Sequence, residues 1–576
     1  MRRWSFLTVA AIPLLIAFLR PAPAGPDLVW WTTHGLDKIR PSDPVPATPS
    51  QTIKLFAARN EFEPFQLALR AEAADMDAVD IDVSDLQGPG DAILSKNNIS
   101  IYLERYLNLN TPSSVDGGTG EWPDPLVPRI DRYAHEKRNA FPFKLVRGRN
   151  QAVWVDIYVP RAAIPGQYRG ELHGAISGKP RFTIPVVLEI WNFELPSTSS
   201  LITTFAFSGL TALHQHFGRY TNDKALSDIT SLYQKAALGH RITLDGSSGT
   251  PLSFSMVDGK VRVNWEQYDS EVHPFLDGLV FSADEALPGA KTTSITLRTP
   301  PALKTEEQQI YFWRQVAEHF RQKGWFDRLF NYLWDEPKPN EYPAMAQLGR
   351  TVHRADPELK NLVTAPLHRE WTGFVDIWTP VINCFERKPK QDDYCEMTVS
   401  RSVYDSELAG GKQLWWYQAC SSHGCNIVGG EYFRGWPSYM IDHDGVRNRI
   451  MEWLSWKYDI KGELYFSTDE AFANKNPWKD VRLFGGHGDG TLFYPGRPDV
   501  VGGTTQIPIE SIRLKLIREG LEDYEYLGML TKLAGSKTAA DLVNSIVRTT
   551  YDFDHNPEKL YAVRESVGRE ISRLSR

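Results

Sequence analysis

The texture of the sequence, meaning its pattern of apolar and polar residues, changes close to residue 200. This change is the feature that most constrains the fold. Before it, short β-branched or aromatic runs such as TIKLF, FEPFQLALRA and AVWVDIYVP are separated by Gly, Pro, Asn and Asp, without helical patterns between them. After it, strand-like runs such as RLFNYLW, NLVTAP and QLWWYQA alternate with helical stretches such as EEQQIYFWRQVAEHFRQKG. Because 576 residues exceed what one hydrophobic core supports, the two textures predict separate domains.

Each texture predicts a fold class. Seven or more strands with no helix between them predict a β-sandwich over residues 25–197, and the segment NFELPSTSS then reads as a linker. Strand–helix alternation predicts a (β/α)8 barrel, the TIM-like fold, over residues 198–505. Residues 506–576 are predicted to be C-terminal helices packed on the barrel, so the chain is a multidomain protein of α and β structure.

The C-terminal helices begin with a long amphipathic pattern, PIESIRLKLIREGLEDYEYLGMLTKL. Apolar residues recur near helical spacing, as on the core-facing side of a helix. The charged residues of the pattern are interpreted as its solvated or salt-bridged face: Arg518, Glu519, Glu522 and Asp523.

The first 24 residues have the three-part plan of a signal peptide. Arg2 and Arg3 precede an apolar stretch at residues 6–19, and Ala-Pro-Ala at 22–24 follows, with cleavage expected after Ala24. The apolar stretch is short for a membrane span, which needs roughly 20 residues, and no later run is long enough. We expect a secreted or periplasmic protein with no membrane span after signal cleavage.

Four cysteines lie close together in a chain expected to reach an oxidising compartment, where disulfides persist. Three pairings are possible. Proximity favours Cys384–Cys395 and Cys420–Cys425, each closing a short loop on the catalytic face of the barrel. A zinc site formed by these thiols and His423 is the alternative, although the spacing matches no common zinc pattern.

Composition limits the partners. A formal net charge of -7 without a basic run argues against nucleic acid. The 18 Trp, 23 Tyr and 27 Phe are mostly core, yet a Trp-rich exported protein is of the kind that stacks sugar rings on indole faces. The aromatic content is compatible with a carbohydrate partner, no cofactor is expected, and the sequence does not indicate an oligomeric state.

The stretch NYLWDEPKPNEY places two adjacent carboxylates, Asp335 and Glu336, at the end of an apolar run and before a proline. In (β/α)8 barrels the catalytic groups lie at the C-terminal ends of the strands, and this is such an end. An acidic residue before a proline-led helix is also an ordinary cap. About nine acidic neighbours would arise by chance among 71 acidic residues in 576, so position alone leaves both interpretations open.

Six segments, in this order along the chain, resemble glycoside hydrolase family 123 and the broader domain-of-unknown-function 4091 group of secreted bacterial proteins. Three resemble the N-terminal domain of that family, one the catalytic strand end and two the C-terminal signature. They are ARNEFEPFQLALR (58–70), EWPDPLVP (121–128), NQAVWVDIYVP (150–160), YLWDEP (332–337), GDGTLFYPG (488–496) and SIRLKLIREGLEDYEYL (511–527).

The resemblance implies a retaining glycosidase that removes N-acetylgalactosamine with help from the substrate's own acetamido group. Glu336 would be the general acid/base, and Asp335 would orient and stabilise the acetamido group. The usual retaining pair needs carboxyl groups ≈ 5–5.5 Å apart on opposite sides of the bond. Adjacent residues on a strand point apart and suit that arrangement poorly, whereas they suit a substrate that supplies its own nucleophile.

Further residues are candidates for substrate binding, each with a structural alternative. Trp416 and Tyr417 on the strand QLWWYQA could line the sugar subsite, although either can be core. In the glycine-rich GGHGDGTLFYPG, which lacks the Walker spacing and lysine, Asp489 and Tyr494 are the ligand-facing candidates. Arg241 in HRITLDG could bond a sugar hydroxyl at another strand end or form an ion pair that stabilises the fold. The last candidate, Tyr332, is either in the subsite or plain core.

Three other functions stay open. His214 and His216 follow the first predicted barrel strand, where some barrel metallohydrolases carry a histidine pair, but no convincing further ligands follow. The prediction therefore includes no metal. A glycan-binding protein without turnover could keep the same fold, and a glycosidase could act on a sugar without an acetamido group.

Overall fold

The structure is a computed structural model that describes residues 27–245, 252–258, 260–389, 395, 397–425 and 431–575. The predicted signal peptide lies outside the described residues. In the described part of the chain, no helix is long and apolar enough to cross a membrane.

The N-terminal region is built from strands, as predicted. Between residues 28 and 194 they are β1 (Leu28–His34), β2 (Ile53–Arg59), β3 (Glu61–Ala71), β4 (Met76–Val83), β5 (Leu86–Gln87), β6 (Ile93–Leu94), β7 (Ile99–Leu109), β8 (Gly120–Pro128), β9 (Phe143–Leu145), β10 (Asn150–Val159), β11 (Gly166–Ile176) and β12 (Lys179–Glu194).

The second region alternates strands and helices. Its strands are β13 (Ile202–Ala206), β14 (Leu244–Asp245), the hairpin β15 (Ser253–Val257) and β16 (Lys260–Asn264), β17 (Ile295–Leu297), β18 (Leu329–Trp334), β19 (Lys360–Val363), β20 (Ile377–Trp378), β21 (Gln413–Tyr417) and β22 (Gly462–Tyr465). Its helices are α1 (Gly209–Phe217), α2 (Asp223–Leu238), α3 (Glu266–Leu276), α4 (Glu306–Lys323), α5 (Tyr342–Ala355), α6 (Asp405–Ala409) and α7 (Met451–Lys457).

The last region mixes short strands with long helices. The strands are β23 (Arg482–Leu483), β24 (Gly486–His487), β25 (Phe493–Gly496), β26 (Ile507–Ser511), β27 (Val547–Thr549) and β28 (Asp552–Phe553). The helices are α8 (Pro498–Val501), α9 (Ile512–Ala534), α10 (Ser536–Ile546) and α11 (Pro557–Leu574).

The N-terminal strands form two sheets that share one hydrophobic core. The first has the order β1-β3-β10-β7-β8-β26-β25, and the second contains β2-β12-β11-β4-β9 with β5 and β6 attached. Leu55 and Leu188 of the second sheet lie in the same core as Phe65 and Val153 of the first. Two strands from late in the chain complete the first sheet: β26 pairs with β8, and β25 pairs with β26.

The central strands form a parallel barrel that is nearly closed. The order β14-β13-β22-β21-β20-β19-β18-β17 is parallel throughout, but β14 and β17 do not pair, so a seam remains between them. Phe330 on β18 meets Trp415 on β21 edge to face, and because these strands are not neighbours the contact crosses the barrel interior.

The helical layer is less regular than a (β/α)8 barrel predicts. Between β19 and β20 the described chain has one 3-10 turn, Arg369–Trp371, in place of a helix. Where helices do form, the caps follow the sequence. Thr305 and Gln308 make a capping box at the start of α4, and Gly324, with φ +72°, ends it.

Helix α9 departs most from its prediction. The segment PIES is the strand β26, and the helix begins at Ile512. Arg518, Glu519, Glu522 and Asp523, predicted to lie on a solvated or salt-bridged face, are buried and form ion pairs, so the solvated alternative is wrong. Charged residues are almost never fully buried unless they are paired, and helix α9 meets that condition.

The partners of α9 come from several parts of the chain. Each partner is a buried group of opposite sign: Asp124 on β8 for Arg513, Asp156 on β10 for Lys515 and Arg518, Arg241 for Glu522, and Arg449 and Arg564 for Asp523. The helix therefore joins the N-terminal sheets to the barrel through a buried charge network.

Candidate active site

Asp335 and Glu336 are the two residues that follow β18 at the C-terminal end of the barrel strands, called the mouth below. Both are exposed, while the strand behind them is almost entirely buried. Their position agrees with the prediction, because in parallel barrels the groups that act on substrate lie at this end.

Three hydroxyl groups hold the pair. The Tyr332 hydroxyl donates to Asp335 Oδ1 over 2.8 Å, and the Thr364 hydroxyl donates to the same oxygen over 2.9 Å. Thr364 Oγ1 also accepts the backbone N–H of Glu336 over 2.7 Å. The Tyr417 hydroxyl donates to Glu336 Oε1 over 2.5 Å. Since Tyr332 and Tyr417 belong to the interior cluster of the barrel, both carboxylates are held toward the mouth.

Glu336 has a backbone conformation that side-chain-bearing residues rarely adopt. Its φ is +42°, in the left-handed region. This conformation costs about 1–2 kcal/mol for a residue with a Cβ, and such strain concentrates at functional sites. It also interrupts the alternation of the strand. Adjacent residues were expected to point apart, but the turn at Glu336 lets neighbouring carboxylates reach inward-facing partners.

The electrostatic surroundings of the pair include Arg298, which follows β17. Its guanidinium lies over the ring of Tyr332, 4.0 Å from the ring centroid. Burial and the nearby charge of Asp335 raise the pKa of Tyr332, so this phenol stays protonated and keeps donating to the carboxylate at neutral pH.

Both predicted disulfides are present near the mouth. Cys384 pairs with Cys395 at a Cα–Cα distance of 5.5 Å, and Cys420 pairs with Cys425 at 5.3 Å. Cys384 lies in the connection after β20, and Cys420 follows β21 by three residues. They brace the loops that leave the strand ends, and with all four sulfurs paired the structure favours disulfides over the zinc alternative.

Trp416 is not part of the site. Its indole N–H donates to Ser455 Oγ over 3.1 Å, and its ring packs edge to face on Phe385, in the layer outside the barrel. Alternation along β21 instead turns Trp415 and Tyr417 inward. The prediction that Trp416 lines the subsite is corrected accordingly, whereas Tyr332 and Tyr417 do lie beside the acidic pair.

Arg241 lies away from the mouth. It precedes β14, so it lies at the opposite end of that strand, where it is buried and donates to Glu522, Asn60 O and Pro196 O. The alternative that the sequence left open, an ion pair that stabilises the fold, is what the structure contains.

The candidate side chains of the glycine-rich loop make hydrogen bonds within the fold and are buried. Asp489 accepts the backbone N–H of Cys420 over 3.2 Å and the hydroxyl of Tyr465 over 3.3 Å, and burial raises its pKa to about 7. Tyr494, on β25, donates to Asp124 within the N-terminal sheet. Neither side chain reaches the acidic pair.

The histidine pair is not arranged as metal ligands. His216 is buried, with Nδ1 bonded to Gln506 and Nε2 to Tyr233, and burial lowers its pKa to about 4. His214 is exposed on the other side of α1. Across the described ranges of the chain, no group of three or more His, Cys, Asp or Glu is placed to hold a metal ion.

Sequence reasoning missed Thr364 and Arg298. Each is a polar residue directly after a short apolar strand, in NLVT and SITLR. The same criterion that singled out Asp335, a polar residue at the C-terminal end of a barrel strand, would have found both.

A parallel barrel whose mouth carries two hydrogen-bonded carboxylates is compatible with the class of glycoside hydrolases. Comparison with protein families agrees. The model of the glycoside hydrolase 123 catalytic domain matches residues 295–530, and that of the glycoside hydrolase 123 N-terminal domain matches residues 38–174. Together these matches cover more than half of the chain, which belongs to glycoside hydrolase family 123.

Among the solved structures compared, one family 123 enzyme has a similar fold, and two other glycoside hydrolases match with low TM-scores. A family 123 glycoside hydrolase from Clostridium perfringens, studied for glycolipid glycan hydrolysis, is 16% identical, with a TM-score of 0.68 over 95% of this chain and 97% of that one. A family 39 glycoside hydrolase from Bacteroides cellulosilyticus is 12% identical, with a TM-score of 0.32 over 81% and 82%. A Bacteroides ovatus family 5 xyloglucanase is 10% identical, with a TM-score of 0.25 over 82% and 98%. No curated protein matches the chain.

Proposed function

We propose that this glycoside hydrolase cleaves a 2-acetamido sugar, of the N-acetylgalactosaminide type, with retention of configuration and with the substrate's acetamido group as nucleophile. One observation carries the proposal: two adjacent carboxylates, Asp335 and Glu336, are held by separate hydroxyl groups at one strand end. Neighbours this close cannot flank the scissile bond from opposite sides, so one side of the sugar is left to the substrate's own group.

In the first step the acetamido oxygen attacks the anomeric carbon, and the bond to the leaving oxygen breaks. Glu336, protonated at the start, donates its proton to that leaving oxygen. Asp335, ionised, accepts the amide N–H and stabilises the positive charge that develops on the oxazolinium-like ring. In the second step the Glu336 carboxylate takes a proton from water, and the water oxygen attacks the anomeric carbon from the leaving-group side. The bond between the anomeric carbon and the acetamido oxygen breaks, which restores the acetamido group and gives the retained product.

The hydroxyl groups assign the oxygens of the pair. Tyr417 occupies Glu336 Oε1, so Oε2 is the oxygen that would carry and transfer the proton. Tyr332 and Thr364 both donate to Asp335 Oδ1, which leaves Oδ2 for the amide N–H of the substrate. Tyr417 was a candidate for lining the sugar subsite, and its bond to Glu336 favours a role in orienting the acid.

Three broader features belong to the same proposal. The shared core of the two N-terminal sheets supports a β-sandwich. The disulfides and the signal-peptide pattern support export to an oxidising compartment. A glycan or glycoconjugate with a terminal acetamido sugar is the substrate class, and the glycolipid glycan studied with the Clostridium relative is one candidate.

Glu336→Gln and Asp335→Asn test the two roles with two aryl N-acetylgalactosaminides that differ in leaving-group acidity. Glu336→Gln should lower kcat/KM roughly 10²–10⁴-fold with the poor leaving group and far less with the activated one, because the latter departs without a proton. Asp335→Asn should slow both about 10²–10³-fold, because it removes charge stabilisation.

Two further measurements decide the mechanism. NMR of the first-formed anomer should show retention, and a substrate with hydroxyl in place of the acetamido group should not be cleaved. Near-normal activity of both folded variants on a substrate that the native protein hydrolyses would sink the proposal. Cleavage of the hydroxyl analogue at a similar rate would instead favour a sugar without an acetamido group.

A further inference from the structure

A cavity lies at the seam of the barrel, and Arg298 is one of its lining residues. It has a volume of about 540 Å³ and lies where β14 and β17 fail to pair. Side chains from the β15–β16 hairpin, α3 and α4, such as Phe254, Phe275 and Phe312, form an apolar wall. On the barrel side the lining is polar, because it contains Thr296, Arg298 and Thr299 at the end of β17.

Arg298 connects this cavity to the proposed catalytic residues. Its guanidinium lies 4.0 Å from the centroid of the Tyr332 ring, and the Tyr332 hydroxyl donates to Asp335 over 2.8 Å. A guanidinium packed on an aromatic face keeps its N–H groups free at the edges, where they can bind a planar anion with two parallel hydrogen bonds.

Arg298 is also an uncompensated cation. It is exposed, and within the part of the chain that the structure describes its contact is this ring, with no carboxylate in an ion pair with it. By contrast, the neighbouring exposed Arg321 and Arg354 are paired with acidic residues. An arginine left without a counter-ion at the edge of a substrate site is placed to supply the charge for one.

Thr299 adds a second donor on the same rim. Its Oγ1 accepts the indole N–H of Trp313 over 2.9 Å, so the hydroxyl proton is directed elsewhere and is available to an acceptor. Asp245, at the end of β14 across the seam, is the acidic residue among the described lining residues. An anion would therefore bind on the Arg298 side of the cavity, next to the mouth.

We infer that Arg298 and Thr299 form a subsite for an anionic substituent of the glycan, a sulfate ester or a carboxylate, beside the acetamido sugar. The inference rests on the proposed function, because it names the substrate class of the same site. It makes the preferred substrate an acidic glycan: either a sulfated acetamido sugar or one linked to an acidic sugar. Both sources share a planar or tetrahedral oxyanion that a guanidinium recognises.

Kinetics on three substrates separate these possibilities. They are a neutral aryl N-acetylgalactosaminide, the same glycoside carrying a sulfate ester, and a disaccharide in which the acetamido sugar is linked to a uronic acid. The native protein should prefer at least one acidic substrate. Arg298→Gln should reduce the ratio of acidic to neutral kcat/KM by about 10- to 100-fold, as expected for losing charge-assisted hydrogen bonds.

Two variants refine the readout. Arg298→Lys keeps the charge but lacks the planar guanidinium that makes two parallel hydrogen bonds. It should restore only part of the native ratio of acidic to neutral kcat/KM. Arg314→Gln removes an exposed arginine on α4 and should leave all three rates unchanged. The acidic substrate whose kcat/KM falls more in Arg298→Gln identifies the substituent that Arg298 binds.

Equal losses on neutral and acidic substrates would overturn the inference and assign Arg298 to supporting Tyr332. If the native protein cleaves none of the three, the proposed function fails separately, and calorimetric titration then decides the subsite. Native protein should bind N-acetylgalactosamine sulfate more tightly than N-acetylgalactosamine, and Arg298→Gln should remove the difference; equal affinities would reject the subsite.

Discussion

Thr364→Val tests whether one hydroxyl group holds both carboxylates in working positions. The substitution replaces a hydroxyl with a methyl group of similar size, so the packing of this buried residue is kept. It removes the 2.9 Å bond to Asp335 Oδ1 and the acceptor, at 2.7 Å, of the Glu336 backbone N–H.

The magnitude follows from the balance between this tether and the backbone strain of Glu336. The bond from the Glu336 N–H to the Thr364 hydroxyl is neutral and contributes about 0.5–1.5 kcal/mol, and the bond to the Asp335 carboxylate contributes about 1.5–3 kcal/mol. The left-handed conformation of Glu336 at φ +42° costs about 1–2 kcal/mol. Without the hydrogen bonds of Thr364, the strained backbone conformer of Glu336 becomes the less populated one. A deficit of about 1.5 kcal/mol leaves roughly one molecule in ten competent, so kcat should fall about 10-fold.

Kinetics with both leaving groups provide the assay, and Thr364→Ser is the matched control because it keeps the hydroxyl. Thr364→Val should lower kcat on both substrates, since the acid and the stabiliser move together, while the fold measured by circular dichroism stays intact. Thr364→Ser should stay within about 3-fold of the native rate. Full activity of Thr364→Val, or an equal fall of kcat in the two variants, would refute the claim that the Thr364 hydroxyl holds both carboxylates in position.

Two further predictions concern the fold around the site. Arg513→Met should lower the free energy of unfolding in urea by about 3–5 kcal/mol. The substitution leaves buried Asp124 without its bidentate partner and three backbone carbonyls without their donor. A loss below about 1 kcal/mol would contradict a buried ion pair. Burial raises the pKa of Asp489 to about 7 from an unfolded value of 3.8, so the folded state binds the extra proton and stability is lost as pH rises through that window. Between about pH 5 and about pH 8, the free energy of unfolding of Asp489→Asn should therefore fall by roughly 2–4 kcal/mol less than that of the native protein. The same change with pH in both proteins would count against the prediction.

The acidic pair was predictable because its evidence is local. A short apolar run ends at Trp334, and a polar residue at that end of a barrel strand is sufficient to place Asp335 and Glu336 at the mouth. Tyr332 was accessible in the same way, since alternation along the strand turns it inward. Thr364 belongs to a different strand, and only the parallel pairing of β18 with β19 brings it to the pair.

Trp416 illustrates what alternation cannot decide. Barrel strands are buried on both faces, so an apolar run such as QLWWY carries no polar marker of which residues face inward. Of two neighbouring tryptophans one must be interior and one exterior, and the choice depends on where the strand begins in the barrel. The contact of Trp415 with Phe330 settles this in the structure.

The salt-bridged interpretation of helix α9 is confirmed, but its burial was not predicted, for a physical reason that also bears on the relation between the two larger parts of the fold. Charge at regular spacing on a helix normally marks its solvated side, because burying an unpaired ion costs several kcal/mol. Here the partners lie far away in sequence: Asp124 and Asp156 on N-terminal strands neutralise Arg513 and Arg518. No pattern within the helix reports a partner hundreds of residues away.

The same pairs connect the N-terminal sheets to the barrel. Strand β26 pairs with β8 in the first sheet, and the next residue begins α9, whose cations face carboxylates on β8 and β10. A chain cut before the barrel would lose those carboxylates and leave Arg513 and Arg518 buried without counter-ions. Because breaking a buried pair destabilises a fold strongly, we expect the barrel and the N-terminal sheets to unfold together despite their different textures.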